Sequence, residues 1–187
     1  IRVPQPTKKC AQVVMAAQDF IDLGLPNAHI VYYPIFLDAT KAFHYFNVLK
    51  TTVDWRQDRI TLFGKSYLQP RLTALYGNNG KPYTYSGICM RPMPFTPELI
   101  ALKKKVDALA KTQFTTCLLN RYRSGKDSNG WHSDDEKELG NQPVIASLSL
   151  GQERYFKLRH KSKKEHKHKI LLKHGSLLIM KGNTQHC

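Results

Sequence analysis

The stretch LNRYRSGKDSNGWHSDDEKEL, residues 119–139, sets four of the chain's 14 acidic residues within five positions, directly after a histidine. In an otherwise basic protein, such a cluster calls for a cation or a very polar loop. Residues two apart on an extended segment project to the same side, so His132 and Asp134 can share one metal while Ser133 points away. One further imidazole from a distant strand would complete a 2-His-1-carboxylate face. That donor set suits non-haem Fe(II) and leaves positions open for oxygen and a cosubstrate. The plain alternative is an acidic turn that caps the segment after it. What surrounds the pair favours the metal, because Asn120-Arg121-Tyr122 closes a predicted strand upstream and residues 145–151 supply another downstream.

Working outward, residues 114–122, 143–150, 154–160, 169–172 and 176–180 read as five short strands, a spacing that predicts a sandwich or barrel. Residues 154–160 alternate, with Phe156 and Leu158 on one face and Tyr155, Lys157 and Arg159 on the other. Two helices are predicted upstream. Asp38 caps the first, whose apolar positions Ala42, Phe43, Phe46 and Leu49 recur at helical spacing to about Thr51. Thr96 caps the second, with Pro97 in its first turn and Leu99, Leu102, Val106 and Leu109 on one stripe. Lys103, Lys104 and Lys105 fall mostly on its outer face. Between the helices, residues 60–94 look like short strands and tight turns, with Asn79-Gly80 as a hairpin signal. A short helix over residues 7–19 is the only element expected before residue 30. Neither a repeat nor a dividing linker is visible, so one domain is expected.

The whole chain carries 29 Lys and Arg against 14 Asp and Glu, a formal net charge of +15. This excess points to a polyanionic partner. A hydrophobic fraction of 41% is enough for one sizeable core. Cys10, Cys89, Cys117 and Cys187 stand far apart without a CxxC pair, which indicates neither a disulfide scaffold nor a zinc ribbon and fits a reducing intracellular compartment. No run approaches the roughly 18 apolar residues of a membrane span, and the start lacks the plan of a signal peptide. The sequence opens at Ile1 and closes at Cys187 straight after an apolar run, so a fragment is expected.

The block quoted above, followed by PVIASLSLG, RYFKLRHK and HGSLLIMKG, resembles the AlkB family of Fe(II)- and 2-oxoglutarate-dependent nucleic-acid dealkylases. The likeness covers residues 60–187 and is strongest to the DNA-repair members, whose pattern N-x-Y-x(9)-H-x-D-D-E is matched letter for letter. It implies a mostly β fold with flanking helices, a double-stranded β-helix (a cupin-like jelly roll) with an N-terminal nucleotide-recognition lid. Residues 38–95 would form the first helix and the lid, and residues 96–187 the second helix and the jelly-roll core. It also implies that His132 and Asp134 are iron ligands and that Asn120 and Tyr122 bind 2-oxoglutarate. Iron, O2 and 2-oxoglutarate together would hydroxylate the carbon of an N-alkyl lesion, and the product would break down to formaldehyde and the repaired base. The family's third ligand histidine would lie just beyond Cys187, and its two arginines for 2-oxoglutarate further on still. His186 is the nearest imidazole, and it comes too early to match that histidine.

An enzyme that works on a base must extrude it and hold it by stacking and edge contacts. The segment YTYSG resembles the family's base-pocket strand, which implies that Tyr85 stacks on the flipped base and Tyr83 bonds to its edge. Asp135 and Glu136 correspond to carboxylates that face the base. Leu62-Phe63-Gly64-Lys65 resembles the hydrophobic finger of the duplex-acting members, an apolar wedge of a general kind. Arg71 matches a basic position near that finger and is expected to contact phosphate. The run KSKKEHKHK, residues 161–169, with Lys161, Lys163 and Lys164 at its head, reads as a loop that grips the nucleic-acid backbone. Arg159 extends the same patch.

The resemblance implies a DNA oxidative demethylase repairing lesions such as N1-methyladenine and N3-methylcytosine. An RNA demethylase of the same family and a catalytically degenerate nucleic-acid-binding protein are the alternatives. DNA, duplex or single-stranded, is the expected partner, with RNA as the alternative, no membrane, and a monomeric state. The expected compartment is the nucleus of a eukaryote or the cytoplasm of a bacterium.

Overall fold

The structure, a computed structural model, describes residues 19–62, 64–78, 80, 83–85, 88–136 and 139–187. Its elements run β1 (Ile21–Asp22), β2 (His29–Tyr33), α1 (Ala39–Thr52), β3 (Arg59–Leu62), β4 (Lys65–Leu68), β5 (Leu72–Gly77), β6 (Tyr83–Tyr85), β7 (Ile88–Met90), α2 (Pro97–Ala110), β8 (Thr116–Arg121), β9 (Ile145–Ser149), β10 (Arg154–Arg159), β11 (Lys167–Leu172) and β12 (Ser176–Lys181). The content is mostly β with two helices, as the sequence predicts.

β12 organises the whole. Its sequence SLLIMK has no polar alternation, and a strand of that kind needs cover on both faces. It lies antiparallel between β2 and β9, with β1 beyond β2. Leu177 and Ile179 enter a cluster with Ala42 and Leu49 of α1 and Leu99 and Leu102 of α2. Leu178 and Met180, on the opposite face, join Ile30, Tyr32 and Leu172, against which Phe156, Leu158 and Ile170 pack. The sheet is therefore covered by the helices on one side and by the antiparallel β10–β11 ribbon on the other.

Local chemistry sets the helix limits. Asp38 Oδ1 accepts from the Lys41 backbone N–H at 2.8 Å, and Thr96 Oγ1 accepts from that of Leu99 at 3.3 Å, both as side-chain caps. Lys111 closes α2 in the left-handed region, at φ 52°. Phe43 departs from the predicted apolar stripe, being 62% exposed, because Ala42 and Leu49 are the positions that face the core. Phe46 instead lies against Gly151, where a Cβ would come within 2.6 Å of its ring. Lys103 is tucked half-buried against Asp107 at 2.6 Å rather than held on the outer face.

β2 has no counterpart in the sequence reading. Its apolar run IVYY is too short for a period to distinguish strand from helix. Only its pairing with β12 makes it a strand. Three antiparallel ribbons, β3–β4, β5–β8 and β6–β7, complete the described strands, the short strands predicted within residues 60–94 among them, and a 3-10 turn at Gly182–Gln185 follows β12. The helix expected over residues 7–19 falls outside the described residues but for Asp19, which is not helical, and Asn79 of the expected hairpin also lies outside. Cys117 and Cys187 are free thiols. No helix among the described residues is long and apolar enough to cross a membrane.

Candidate functional site

β5 and β8 pair with Thr73 opposite Asn120, which brings the residue before β5 to the end of β8. That residue is Arg71. It is 5% exposed, its Nε donates to Asn120 Oδ1 at 2.9 Å, and its Nη1 lies 3.5 Å from the Ser128 carbonyl. The phosphate contact expected of Arg71 would have to compete with these partners, since the guanidinium is engaged inside the fold. It fixes the amide of Asn120. With Oδ1 occupied, the two Nδ2 protons are directed to no acceptor among the described residues and can serve an anionic ligand.

The loop from Tyr122 to His132 is held by charge. Asp127 is 6% exposed and accepts from the Arg123 backbone N–H at 2.8 Å, from Arg123 Nε at 2.8 Å and from its Nη2 at 3.0 Å. These bonds hold its carboxyl down at about 2. Arg154 Nη2 donates to the Asp127 carbonyl at 2.7 Å, and its guanidinium covers the Tyr122 ring at 4.5 Å. Ser128 N–H donates to the Pro70 carbonyl at 2.8 Å. The segment reaching His132 is thus tied to the same region that carries Arg71 and Asn120.

His132 and Asp134 do come together: Nε2 and Oδ1 are 3.8 Å apart. His132 Nδ1 lies 2.8 Å from the Gly130 carbonyl. A proton on Nδ1 is satisfied there, and this is the tautomer whose Nε2 carries the lone pair a metal would use. Gln185 Oε1 accepts from the Asp134 backbone N–H at 2.9 Å. Gln185 is buried, and its Nε2 meets Met180 Sδ at 3.6 Å, so the carboxylate's backbone is fixed from the core. Burial raises the Asp134 carboxyl above its ordinary value, with the His132 charge opposing and Asp135 reinforcing.

The neighbouring carboxylates differ. Asp135 accepts from Lys161 Nζ at 2.7 Å, and that ammonium holds its carboxyl below the usual range. Glu136 Oε2 is buried with no hydrogen-bond partner among the described residues. Arg159 sits over the exposed Trp131 ring, 4.5 Å from its centroid. Lys163 and Lys164 are exposed, and the Lys163 backbone N–H donates to His160 Nδ1 at 3.1 Å. Gly64 turns between β3 and β4 at φ 75°, and Lys65 is exposed. Phe63 lies outside the described residues, as do the side chains of Tyr83 and Tyr85, whose backbones form β6.

The family model for the 2OG-Fe(II) oxygenase superfamily matches residues 29–187. The chain belongs to the 2OG-Fe(II) oxygenase superfamily. It is 44% identical over 161 residues to the alpha-ketoglutarate-dependent dioxygenase alkB homolog 3 of Bos taurus, covering 81% of this chain and 56% of that protein. The human protein of the same name is 42% identical over 167 residues, with 84% and 58% covered. The DNA oxidative demethylase ALKBH2 of Arabidopsis thaliana is 35% identical over 193 residues, with 88% and 60% covered. The chain spans little more than half the length of these relatives.

A 2OG-Fe(II) oxygenase implies a ferrous ion, and the imidazole nitrogen and carboxylate oxygen of His132 and Asp134 are donors that suit it. Among the described residues no set of three His, Cys, Asp or Glu is gathered for a metal, so His186 does not complete the face. Five contributors escaped the sequence reading as site residues: Trp131, Arg154, Gln185, and the Arg123–Asp127 pair. Trp131 had a signal, its position beside His132. The others act across the fold or as a local clasp, which no motif records.

Proposed function

We propose that the protein is an oxidative demethylase of N-alkylated bases in DNA, such as N1-methyladenine and N3-methylcytosine. The observation that supports it most is the convergence of His132 Nε2 and Asp134 Oδ1, 3.8 Å apart, with Gln185 fixing the backbone between them and the core. His132 and Asp134 would hold Fe(II), and the family's third histidine would follow Cys187. Asn120, through its Nδ2 protons, and Tyr122 would hold 2-oxoglutarate. With O2, the bound iron and cosubstrate supply the oxidising power that hydroxylates the N-alkyl carbon. The chain's own residues bind, orient and exclude water from the target. Tyr83 and Tyr85 would hold the flipped base, and Asp135 and Glu136 would favour a cationic alkylated ring. Glu136 Oε2, without a partner among the described residues, is in keeping with a donor from the ligand, because a buried acceptor without a bond is costly.

On this reading the chain is one domain with a jelly-roll core and a nucleotide-recognition lid, monomeric and intracellular. Phe63, Gly64 and Lys65 form the finger, and Arg159, Lys161, Lys163 and Lys164 meet the backbone. Lys161 must then exchange Asp135 for phosphate. RNA is the second reading, since the pocket residues do not by themselves select the sugar.

The test is formaldehyde release from an N1-methyladenine oligonucleotide by the full-length protein, with Fe(II) and 2-oxoglutarate present or withheld. Release that requires both supports the demethylase. Salt-sensitive binding without release leaves a degenerate binder.

A further inference from the structure

The outward face of the β10–β11 ribbon is built against itself. Lys157 stands directly opposite Lys169, and Arg159 directly opposite Lys167. All four are exposed, and among the described residues none carries an ion pair. Like charges at directly opposed positions destabilise a sheet. A single acid at any of them would have turned repulsion into a cross-strand pair. The inward face does the packing through Phe156, Leu158 and Ile170, so the folding of the ribbon does not require this ladder.

Two exposed rings flank these cations. Tyr155, on the outward face of β10, is 60% exposed, with Lys169 Nζ 5.0 Å from its centroid. Trp131 is 55% exposed, with the Arg159 guanidinium 4.5 Å from its centroid. Tyr155 and Arg159 are four residues apart on one strand, a separation of about 13 Å. Cations alone would suit any polyanion. Exposed aromatic plates interleaved with them suit one whose bases are free to stack. A duplex keeps its bases stacked on each other and offers the rings nothing.

We propose that this face, ended by Trp131, is a track for unpaired nucleotides flanking the target, their bases on Tyr155 and Trp131 and their phosphates on Lys157, Arg159, Lys167 and Lys169. Trp131 precedes His132, so the track leads to the residue placed at the metal. The proposal rests on the dealkylase reading for its target nucleotide but not for its binding.

Tryptophan emission tests it. In full-length protein whose other tryptophans, Trp55 among them, are replaced by phenylalanine, an unmethylated oligothymidylate is expected to quench Trp131. An abasic strand of equal length is expected to bind without quenching, and a blunt duplex to quench little. Trp131→Leu with Tyr155→Ser is expected to weaken oligothymidylate binding about tenfold while sparing the abasic strand. Lys157→Ser with Lys169→Ser is expected to reduce the slope of log K against log salt by about 1.4, two single-strand phosphate contacts. Its melting temperature is expected to be unchanged or raised, which separates lost binding from lost folding. Equal quenching by the abasic strand or the duplex, or an unchanged slope, overturns the track. Formaldehyde release from a methylated mononucleotide reports the dealkylase reading alone. Release without quenching sinks only the track, and quenching without release sinks only the dealkylase.

Discussion

Gln185 Oε1 accepts the backbone N–H of Asp134 at 2.9 Å, joining the segment after β12 to the loop that carries the proposed metal-ligand carboxylate. Since Gln185 is buried and the carboxylate's own chain is a loop, this bond is what gives the loop a fixed depth. Gln185→Ala is expected to weaken Co(II) binding, followed spectroscopically, by about 10- to 100-fold, the usual cost of losing an outer-shell partner. Unchanged affinity would mean that Asp134 is positioned by other contacts.

Arg71 holds Asn120 in a similar way. Arg71→Met keeps much of the buried volume and removes the bond to Oδ1, freeing the amide to rotate. The KM for 2-oxoglutarate is expected to rise about tenfold or more, while oligonucleotide affinity holds. The opposite pattern would return Arg71 to the nucleic-acid surface.

The Arg123–Asp127 clasp makes a pH prediction. Its carboxyl is held at about 2 in the folded chain, below the ordinary unfolded value of about 3.9. A depressed carboxyl stabilises the fold fully above the unfolded pKa and loses that contribution as pH falls through the folded one. Asp127→Asn is therefore expected to lower the urea midpoint at pH 6, with the gap from the parent closing between about pH 4 and pH 2. A gap that is constant over that window would assign the effect to packing.

Gly175 has φ 78°, and a Cβ there would lie 2.8 Å from the Leu37 carbonyl oxygen. Gly175→Ala is expected to destabilise by about 1–3 kcal/mol from backbone strain alone, or roughly 2–12 °C in melting temperature for a chain of this size. Since the Gly175 carbonyl also accepts from Leu37 N–H at 2.9 Å, the loss would spread to the start of α1.

Capping made the helices legible in the sequence: Asp38 and Thr96 each satisfy a first-turn donor, so a local signal was sufficient. β10 was legible because one face is wet and the other packed, whereas β2 is defined by what it pairs with. At the site, the spacing of His132 and Asp134 was readable as geometry. The roles of Arg71 and Gln185 were not, because each acts on a residue roughly fifty positions away through a contact that only the folded β5–β8 and β12 regions create.

The most direct test of the central claim is to compare His132→Ala and Asp134→Ala with the parent in the full-length protein on one methylated oligonucleotide. Formaldehyde release and fluorescence anisotropy are read side by side. Both variants are expected to lose release while binding the strand as the parent does. Release that persists in either would remove that residue from the metal site and overturn the proposed placement of iron.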